Sequence, residues 1–550
     1  MSWRRKTFDE LPVLSVRGPE LRRALRTVII AWMYGIIWMT CVSGSRITLF
    51  ANMVGFTDFE FGVLAALPFI ATFAQLAAAV LIERTGLRKF QFLQCATIHR
   101  LLWVAVAVVP FVLPVPSRAA VWTTLGILAI SWFLSHLATP AWLMWMGDII
   151  PRRIRGRFLA NRARITQAVH IPAVIALAWG LDRITRDDAP MTAEQQKPLL
   201  IAICIAFAVG AVFGAVDILL FRRMREVFRP VPSSGRTQEA PRPDERRARR
   251  LRRALDELLL GPLKDKGFRQ VAGFYAVAFF AMACSGPFFW KNCLENLRFG
   301  QLGADGLFLV IGPLAGIAST LLWGKVIDRW GRRPVLIIAG VCVVMSVMPY
   351  FFASPQTPNP QWLVGTVNGF SGWIAGLFGG RWEVIGPEAP LGAWLIISLS
   401  VIIGGTGWTG INLAREGIMM GFADGPGRSR YVAAQAVIIS GGGMLGGLTG
   451  GLLAQSLSHL HDSPIVIGPF LWNNWHATFV LSLAARITAL VLALRMAEPG
   501  AARVRDIVRF ARGNVYNMLA PRLAFAGRLF GRNWLRTQRR RRQESDHDEQ

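Results

Sequence analysis

Two cations interrupt long apolar runs at comparable positions in the chain. Arg46 lies in the outer part of a run that extends from Val28 to Phe50, and Lys291 follows Phe288-Phe289-Trp290 in a later run. Ionisable side chains inside membrane-length runs are functional candidates by default. Two such cations facing one cavity would attract an anionic substrate; if they extend toward the lipid head groups instead, they only anchor their helices. Both hypotheses are open for Arg46, whereas the polar residues after Lys291 favour the second for that residue.

Polar side chains in other apolar runs extend the set of candidates. Asn412 and His136 would supply hydrogen bonds to a substrate. Glu416 is a candidate for H⁺ coupling together with Arg415, and the alternative, which we favour, is a structural ion pair near the cytoplasmic end of the helix. His170 is a further coupling candidate because imidazoles titrate near neutral pH, although a lone buried histidine more often serves as a hydrogen-bonded structural group.

Helices must position these candidates, because the apolar runs are too long for buried strands. The chain of 550 residues is 53% hydrophobic and 17% charged, with a mean hydropathy of +0.40. About 20 apolar residues cross the hydrocarbon core, where such runs must form helices to satisfy their backbone groups. The runs predict an all-α polytopic membrane protein with twelve transmembrane helices, near residues 28–50, 59–82, 91–113, 119–146, 165–184, 198–221, 270–292, 304–327, 334–353, 392–420, 432–456 and 475–496.

Positive charge is concentrated in every second loop. The formal net charge is +28, but the basic residues lie between apolar runs rather than along a groove, which argues against nucleic-acid binding. Basic loops stay on the cytoplasmic side, so we predict a multi-pass inner-membrane protein with both termini in the cytoplasm. A thirteenth span within 354–390 would place the basic tail outside. We therefore expect this Pro- and Gly-rich insertion to be re-entrant or to lie at the outer interface.

The pattern divides the chain into two bundles and three polar segments. We predict an N-terminal cytoplasmic segment (1–27), two six-helix bundles (28–221 and 270–496), a basic linker (222–269) and a basic tail (497–550). Apolar residues of the tail follow helical spacing between arginines, which is typical of a helix on an anionic inner leaflet. The expected partners are a small-molecule substrate and the lipid bilayer, and we expect a monomer without metal or cofactor.

A short segment recurs after the second and the eighth predicted spans. The chain reads I-E-R-T-G-L-R-K from Ile82 to Lys89 and I-D-R-W-G-R-R-P from Ile327 to Pro334. This register equates Arg46 with Lys291, whereas a second register, based on Ser-Gly pairs, places Phe288 opposite Arg46. Two six-helix halves joined by a cytoplasmic linker are the layout of a rocker-type transporter.

The loop after the eighth predicted span resembles a signature of the major facilitator superfamily. Residues 324–333 follow the pattern G-x-x-x-D-R-x-G-R-R, and the copy after the second span is degenerate. The resemblance implies two pseudo-symmetric bundles and a cluster that holds the cytoplasmic side closed. The residues to which it assigns this gating role are Glu83, Arg84, Gly86, Arg88, Asp148, Gly324, Asp328, Arg329, Gly331, Arg332 and Arg333.

Gating is one of two roles open to these charges. By the resemblance, Asp148 is a partner for Arg84 or Arg88. The alternative is that the arginines only enforce the topology, and both roles are compatible.

The sequence leads to two hypotheses about function. The first is a secondary transporter that moves a small solute, with an organic anion as one candidate, by alternating access coupled to H⁺ or another ion. The second is a non-transporting protein of the same fold that acts as an assembly factor or sensor. An enzyme is not expected, because neither H-E-x-x-H nor G-x-S-x-G occurs in the chain.

Overall fold

The computed structural model describes residues 18–85, 87–184, 193–226, 261–377, 389–422, 428–467 and 470–496. The N-terminal segment, most of the basic linker and the predicted amphipathic tail lie outside these residues. The described chain is helical apart from its connections and one small hairpin.

The described residues of the first half form eight helices. They are α1 (Gly18–Val42), α2 (Ser45–Val54), α3 (Asp58–Ala71), α4 (Ala74–Thr85), α5 (Arg88–Val112), α6 (Arg118–Ile149), α7 (Arg152–Asp182) and α8 (Ala193–Leu220). A 3₁₀ turn, Phe221–Arg223, follows α8, and a single helical turn, Gly261–Leu263, precedes the second half.

The second half, where it is described, adds ten helices and the hairpin. They are α9 (Lys266–Lys291), α10 (Gln301–Asp305), α11 (Gly312–Trp330), α12 (Arg332–Met345), α13 (Pro349–Phe352), α14 (Gln361–Leu377), α15 (Leu391–Phe422), α16 (Arg428–Ser456), α17 (His459–Asp462) and α18 (Asn474–Arg495). Single π-helical segments, Asn292–Asn296 and Gly306–Ile311, extend α9 and join α10 to α11. Strands β1 (Ile465–Ile467) and β2 (Phe470–Trp472) pair antiparallel, with Val466 opposite Leu471.

Eleven helical segments among the described residues are long and apolar enough to cross a membrane. The predicted second span supplies the twelfth, because a turn at Thr72 and Phe73 divides it into α3 and α4. Pro68 inside α3 lacks the N–H that would continue the helical ladder, and the Thr72 hydroxyl donates to its carbonyl at 3.1 Å. The fold confirms the prediction of an all-α protein with twelve spans.

We number the spans 1 to 12 in chain order. They are α1–α2, α3–α4, α5, α6, α7, α8, α9, α10–α11, α12–α13, α15, α16 and α18. The largest difference from the predicted bounds is in span 5, where α7 begins at Arg152 instead of residue 165. Hydropathy locates the apolar part of a helix, and here the helix continues through basic residues beyond it.

The connections between spans lie alternately at the two ends of the bundle. We call the end that contains Gly18 and Arg495 the near end; the far end contains the connections 55–57, 113–117 and 297–300. Within the first half, α5 packs against α6 and α8, and α1 packs against α8. Within the second half, α9 packs against α16 and α18, and α15 against α11 and α12. The two halves meet most closely where α3 packs against α16.

Two glycine stripes on α16 permit its close packing. The first consists of Gly442, Gly446 and Gly450, where an added Cβ would lie 2.2–2.3 Å from carbonyl oxygens of α9. The second consists of Gly443, Gly447 and Gly451, where a Cβ would lie within 2.9 Å of atoms of α3. Small residues at four-residue intervals let helix backbones approach closely. One stripe holds the second half together, and the other joins it to the first half.

The insertion at 354–390 contains α14, a helix of 17 residues. Asn359 joins its entry and exit, because the side-chain amide donates to Ala389 O at 2.7 Å and the Gly392 N–H donates to Asn359 Oδ1 at 2.7 Å. Trp362, Phe370 and Trp373 are more than half exposed. Residues 378–388 lie outside the described chain, and the outer-interface location stays a prediction.

Candidate functional site

A glycine at the break in span 1 brings the two halves into contact. Gly44 has φ +76°, a conformation that L side chains rarely adopt, and it separates α1 from α2. An added Cβ there would lie 2.7 Å from Asp305 Oδ1 in the other half. The break therefore turns the N-terminus of α2 toward the carboxylate of Asp305.

Arg46 and Asp305 form a buried ion pair across the halves. Arg46 Nη1 lies 2.5 Å from Asp305 Oδ2, and neither side chain is exposed. Ser45 adds two bonds to the same carboxylate, from its backbone N–H at 3.0 Å and its hydroxyl at 3.1 Å. The negative charge at an α-helix N-terminus is also favoured by the helix dipole. Span 1 is thereby joined to span 8.

Lys291 and Asp58 form a second ion pair across the halves. Lys291 Nζ lies 2.7 Å from Asp58 Oδ1, with both side chains nearly buried. Asp58 also accepts from Asn474 Nδ2 at 2.6 Å and from Trp475 Nε1 at 3.2 Å. The ammonium group lies 4.6 Å from the ring centroid of Phe61. These contacts join spans 7 and 12 to span 2.

The two ion pairs are reciprocal, because each joins the first span of one half to the second span of the other half. A cation on the first helix of each half binds an acid at the start of the second helix of the other half. The repeat register that equates Arg46 with Lys291 also equates Asp305 with Glu60 rather than Asp58. Glu60 instead accepts from Arg118 Nη1 at 2.6 Å and from the Thr57 N–H at 2.8 Å, within the first half. The reciprocity therefore holds for helices and not residue by residue.

Two further contacts complete what we call the far-end seam. Asp182, at the end of α7, accepts from the backbone N–H groups of Gln301 and Leu302 at 2.6 and 2.7 Å. Asn52 Nδ2 donates to Glu295 Oε1 at 2.5 Å. The far-end seam comprises these residues and the two ion pairs with their neighbours, that is, Ser45, Arg46, Asn52, Asp58, Asp182, Lys291, Glu295, Gln301, Leu302, Asp305, Asn474 and Trp475.

The far-end seam changes the interpretation of Arg46 and Lys291. Each cation is buried and paired with a carboxylate of the opposite half. Neither side chain extends to lipid head groups, and neither is a free charge for a substrate. Both occupy equivalent places in the two halves, and Phe288, the alternative counterpart of Arg46, is completely buried.

A cavity of about 450 Å³ lies within the second half. Its walls come from spans 7, 8, 9, 10 and 12, with aromatic side chains from Phe289, Phe308, Tyr350 and Trp408. Arg486 of α18 lines the cavity and is 5% exposed. Its guanidinium group donates to three neutral acceptors, which are Ser482 Oγ at 3.2 Å, Val343 O at 2.8 Å and Ser346 Oγ at 3.0 Å.

A second cavity of about 260 Å³ lies within the first half. Arg100 Nη2 and Asp217 Oδ2 form an ion pair at 3.3 Å on its wall. The Arg100 guanidinium lies 3.4 Å from the ring centroid of Trp38. Asp217 packs against Gly35, where an added Cβ would lie 2.6 Å from Oδ2. The charge of Arg100 is therefore already balanced by a carboxylate, and the cavity wall also contains Arg162.

The remaining candidates make separate contacts. His136 Nδ1 lies 2.9 Å from Trp132 O, and His170 Nδ1 lies 3.2 Å from Gln167 Oε1. Asn412 is half-buried. The structure does not bring Asn412 or His136 into hydrogen bonds with Arg46 or Lys291 among the described residues.

The described residues show no ion pair between Arg415 and Glu416, the structural alternative favoured above. Arg415 is half-buried with its guanidinium 5.6 Å from the ring centroid of Phe279, and Glu416 is exposed. Adjacent helix positions point in different directions, which keeps the two side chains apart. The coupling role of both residues, like that of His170, stays a prediction.

The loop motif is described in part. Gly331 has φ +93° between α11 and α12, which explains the glycine in the pattern. Arg333 Nη2 donates to Leu494 O at 2.8 Å, and the Arg329 guanidinium lies 5.3 Å from the Trp330 ring centroid. Asp328 is exposed, Arg332 and Gly324 are half-buried, and Arg88 opens α5. Gly86 and the side chains of Glu83, Arg84 and Asp148 lie outside the described part, so their gating role stays a prediction.

Sequence reasoning missed the acids of the far-end seam and three buried charges. Asp58, Asp182 and Asp305 lie in terminal helix turns, where charges are common. Arg100, Asp217 and Arg486, in contrast, lie inside the predicted spans 91–113, 198–221 and 475–496. The rule that selected Arg46 applies equally to these three residues.

Comparison with known proteins agrees with this two-bundle architecture. A family model described as the Major Facilitator Superfamily matches residues 27–380. The crystal structure of a D-xylose-proton symporter superposes with a TM-score of 0.57 at 13% identity, covering 88% of this chain and 100% of that chain. The crystal structure of the nucleoside transporter NupG superposes with a TM-score of 0.53 at 12% identity, covering 86% of this chain and 98% of that chain. A POT family transporter in complex with a thioalcohol-conjugated peptide superposes with a TM-score of 0.53 at 12% identity, covering 86% of this chain and 97% of that chain.

No match is found among curated protein sequences. The fold and the reciprocal seam define a multi-pass membrane protein built from two pseudo-symmetric bundles. Because the family model covers more than half of the chain, the protein belongs to the Major Facilitator Superfamily. It is a secondary transporter whose substrate these similarities leave unspecified.

Proposed function

We propose that the protein is a monomeric alternating-access carrier in the cytoplasmic membrane that moves a small organic anion and is not an enzyme. The far-end seam carries this proposal, because it closes one end of the bundle through contacts between the two halves. The uncompensated charge of Arg486 in the second-half cavity supports an anionic solute.

Buried ion pairs suit a closure that must open and reform. Removing two charges from water costs free energy that their attraction offsets only in part, so such pairs contribute little net stability. When the halves rock apart, water solvates Arg46 and Asp305 again and compensates for the lost contact. The pair therefore specifies the closed arrangement without making it permanent.

The loop charges support an orientation for this closure. Basic residues precede or open spans 1, 3, 5, 9 and 11 in the sequence, and these spans begin at the near end. By the positive-inside rule the near end and both termini face the cytoplasm, and the far-end seam then closes the outer side.

The first experiment measures flux. The purified full chain is reconstituted in liposomes and tested with organic anions, sugars and lipophilic cations under an imposed pH gradient. We expect saturable counterflow of an organic anion that responds to the gradient. Absence of counterflow for every solute would contradict the carrier proposal and favour the assembly factor or sensor.

The second experiment tests the far-end seam. Spin labels at Ile184→Cys and Ser458→Cys, in a background without native cysteines, report the distance between the halves at the far end. Asp305→Asn leaves Arg46 buried without its counter-charge, which disfavours the closed arrangement. We expect the distance distribution to shift to longer values in Asp305→Asn and in Asp58→Asn.

Arg118→Gln is the matched control. It breaks an ion pair at the same end of the molecule, but the Arg118 side chain is 67% exposed and its partner Glu60 belongs to the same half. We expect the wild-type distribution. Equal shifts in all three variants would show that the far-end seam has no specific role in closure.

A further inference from the structure

We propose that the second-half cavity binds the carboxylate of an organic acid with an apolar body and that Arg486 supplies the cation. This inference rests on the proposed transport function and gives it a substrate class. The site lies inside one bundle, and its lining includes no residue of the far-end seam and none that the sequence pattern selected.

The first argument is the state of the Arg486 charge. Its Nε and Nη1 atoms donate to hydroxyl and carbonyl oxygens, so the hydrogen bonds orient the guanidinium without neutralising it. No carboxylate forms an ion pair with Arg486 among the described residues. Arginine stays protonated in proteins, and a buried charge without a counter-charge is costly. An anionic ligand would supply that counter-charge.

The second argument is the direction of the unused donors. Arg486 Nη2 forms no hydrogen bond with the described residues. The atom is nevertheless not completely enclosed by protein, so it retains contact with open space. The other nitrogens hold the plane of the group, so the two N–H donors of Nη2 are preoriented for a carboxylate oxygen.

The third argument is the cavity wall, which favours an apolar body over a polyol. Phe289 packs against Tyr350 and Phe479, with ring-centroid distances of 4.2 and 4.8 Å. The wall hydroxyls of Thr320 and Thr409 donate to carbonyls of their own helices at 3.0 and 2.8 Å.

Because the hydroxyl protons of Thr320 and Thr409 are already used, the wall offers few donors to the oxygens of a sugar, and unpaired polar groups are costly in a buried site. A volume of about 450 Å³ suits a small ligand with one ring and one charge. The cavity thus offers one cation and an aromatic wall, which matches an aryl or alkyl monocarboxylate.

The test compares phenylacetate with phenylacetamide, which has the same body and no charge. Each is titrated into the full chain in lipid nanodiscs, and the melting temperature is followed by tryptophan fluorescence. We expect phenylacetate to raise the melting temperature of the wild type and phenylacetamide to leave it unchanged. Arg486→Met should weaken the phenylacetate response at least tenfold.

Two variants control for folding. Arg495→Met removes the exposed arginine of the same helix and should respond like the wild type. Arg486→Lys keeps the charge but not the planar donor group, so it should still respond to phenylacetate, with weaker affinity. If Arg486→Met does not fold, the response of Arg486→Lys and the discrimination between the two ligands in the wild type decide the question.

Three outcomes would overturn the proposal: equal effects of phenylacetate and phenylacetamide on the wild type, no effect of either, or an unchanged phenylacetate response in Arg486→Met. Equal stabilisation by sodium chloride would reduce the site to one for a simple anion and would also reject it. Counterflow in liposomes separates this inference from the transport function. Flux of another solute without carboxylate binding rejects only the inference, whereas carboxylate binding without any flux rejects only the carrier.

Discussion

Each half of the bundle encloses an arginine between its third and sixth spans, and the surroundings of the two charges differ. In the first half, Arg100 of span 3 pairs with Asp217 of span 6. In the second half, Arg486 of span 12 donates to Ser346 and to a backbone carbonyl of span 9, which are neutral. Related positions in the two repeats therefore hold a balanced charge and an uncompensated one.

This difference in charge balance suggests different roles for the two arginines. The Arg100–Asp217 pair joins two helices of the same half, so its charges would separate inside the bundle rather than into water, which is costly. An oriented arginine held by neutral acceptors keeps its attraction for an external anion. On this argument the Arg100–Asp217 pair has a structural role, and Arg486 of the second half is the cation available to an anion.

The largest expected effect comes from breaking the balanced pair. Asp217→Asn preserves the shape that packs against Gly35 but leaves Arg100 buried without a counter-charge. Loss of one partner from a buried ion pair costs about 3–5 kcal/mol, so we expect a clear fall in the melting temperature in nanodiscs. The anion response of the folded fraction should persist.

A double variant checks the cause of that loss. Arg100→Met together with Asp217→Asn removes both charges, and it should recover much of the stability lost in Asp217→Asn. If the double variant is as unstable as the single one, the charges are not what distinguishes the first-half cavity.

A smaller effect is expected from giving the second half a carboxylate of its own. Ser346→Asp places an acid where Ser346 Oγ now accepts from Arg486 Nη1 at 3.0 Å. The new charge would neutralise Arg486 and repel a bound carboxylate. We expect phenylacetate affinity to fall at least tenfold, about 1.4 kcal/mol, in the thermal-shift titration.

Ser346→Asn separates charge from size. The amide resembles the carboxylate in volume but stays neutral, so its phenylacetate affinity should remain within a few-fold of the wild type. Equal losses in Ser346→Asp and Ser346→Asn would indicate steric exclusion and would remove the electrostatic contrast between the halves.

The contrast also shows which features the sequence could predict. Hydropathy located all twelve spans, and the loop pattern located Gly331, because both depend on residues close together in the chain. Arg46 was found as an isolated cation, but its partner Asp305 lies 259 positions away and becomes a neighbour only when the halves pack. A search restricted to single helices therefore left Arg46 open as a substrate cation or a lipid-facing anchor, whereas the fold forms an ion pair.

The sequence could not predict the anion site in the second-half cavity, for a related reason. Arg486 lies in an apolar run and was visible as an intramembrane cation. Whether it is balanced depends on span 9, where the neighbouring side chain is Ser346. Only helix packing decides between a structural pair, as for Arg100, and an available charge.

The smallest expected effect sharpens the comparison at Arg162, a further cation of the first-half cavity. Its guanidinium lies 4.4 and 5.5 Å from the ring centroids of Trp32 and Trp142, and such contacts contribute about 0.5–1 kcal/mol at partly exposed sites. Arg162→Met should therefore lower the melting temperature slightly and leave phenylacetate affinity unchanged. Arg162→Lys should lower the melting temperature less than Arg162→Met does. If Arg162→Met reduces phenylacetate affinity as strongly as Arg486→Met, the anion interacts with both halves, and the division of roles between them is wrong.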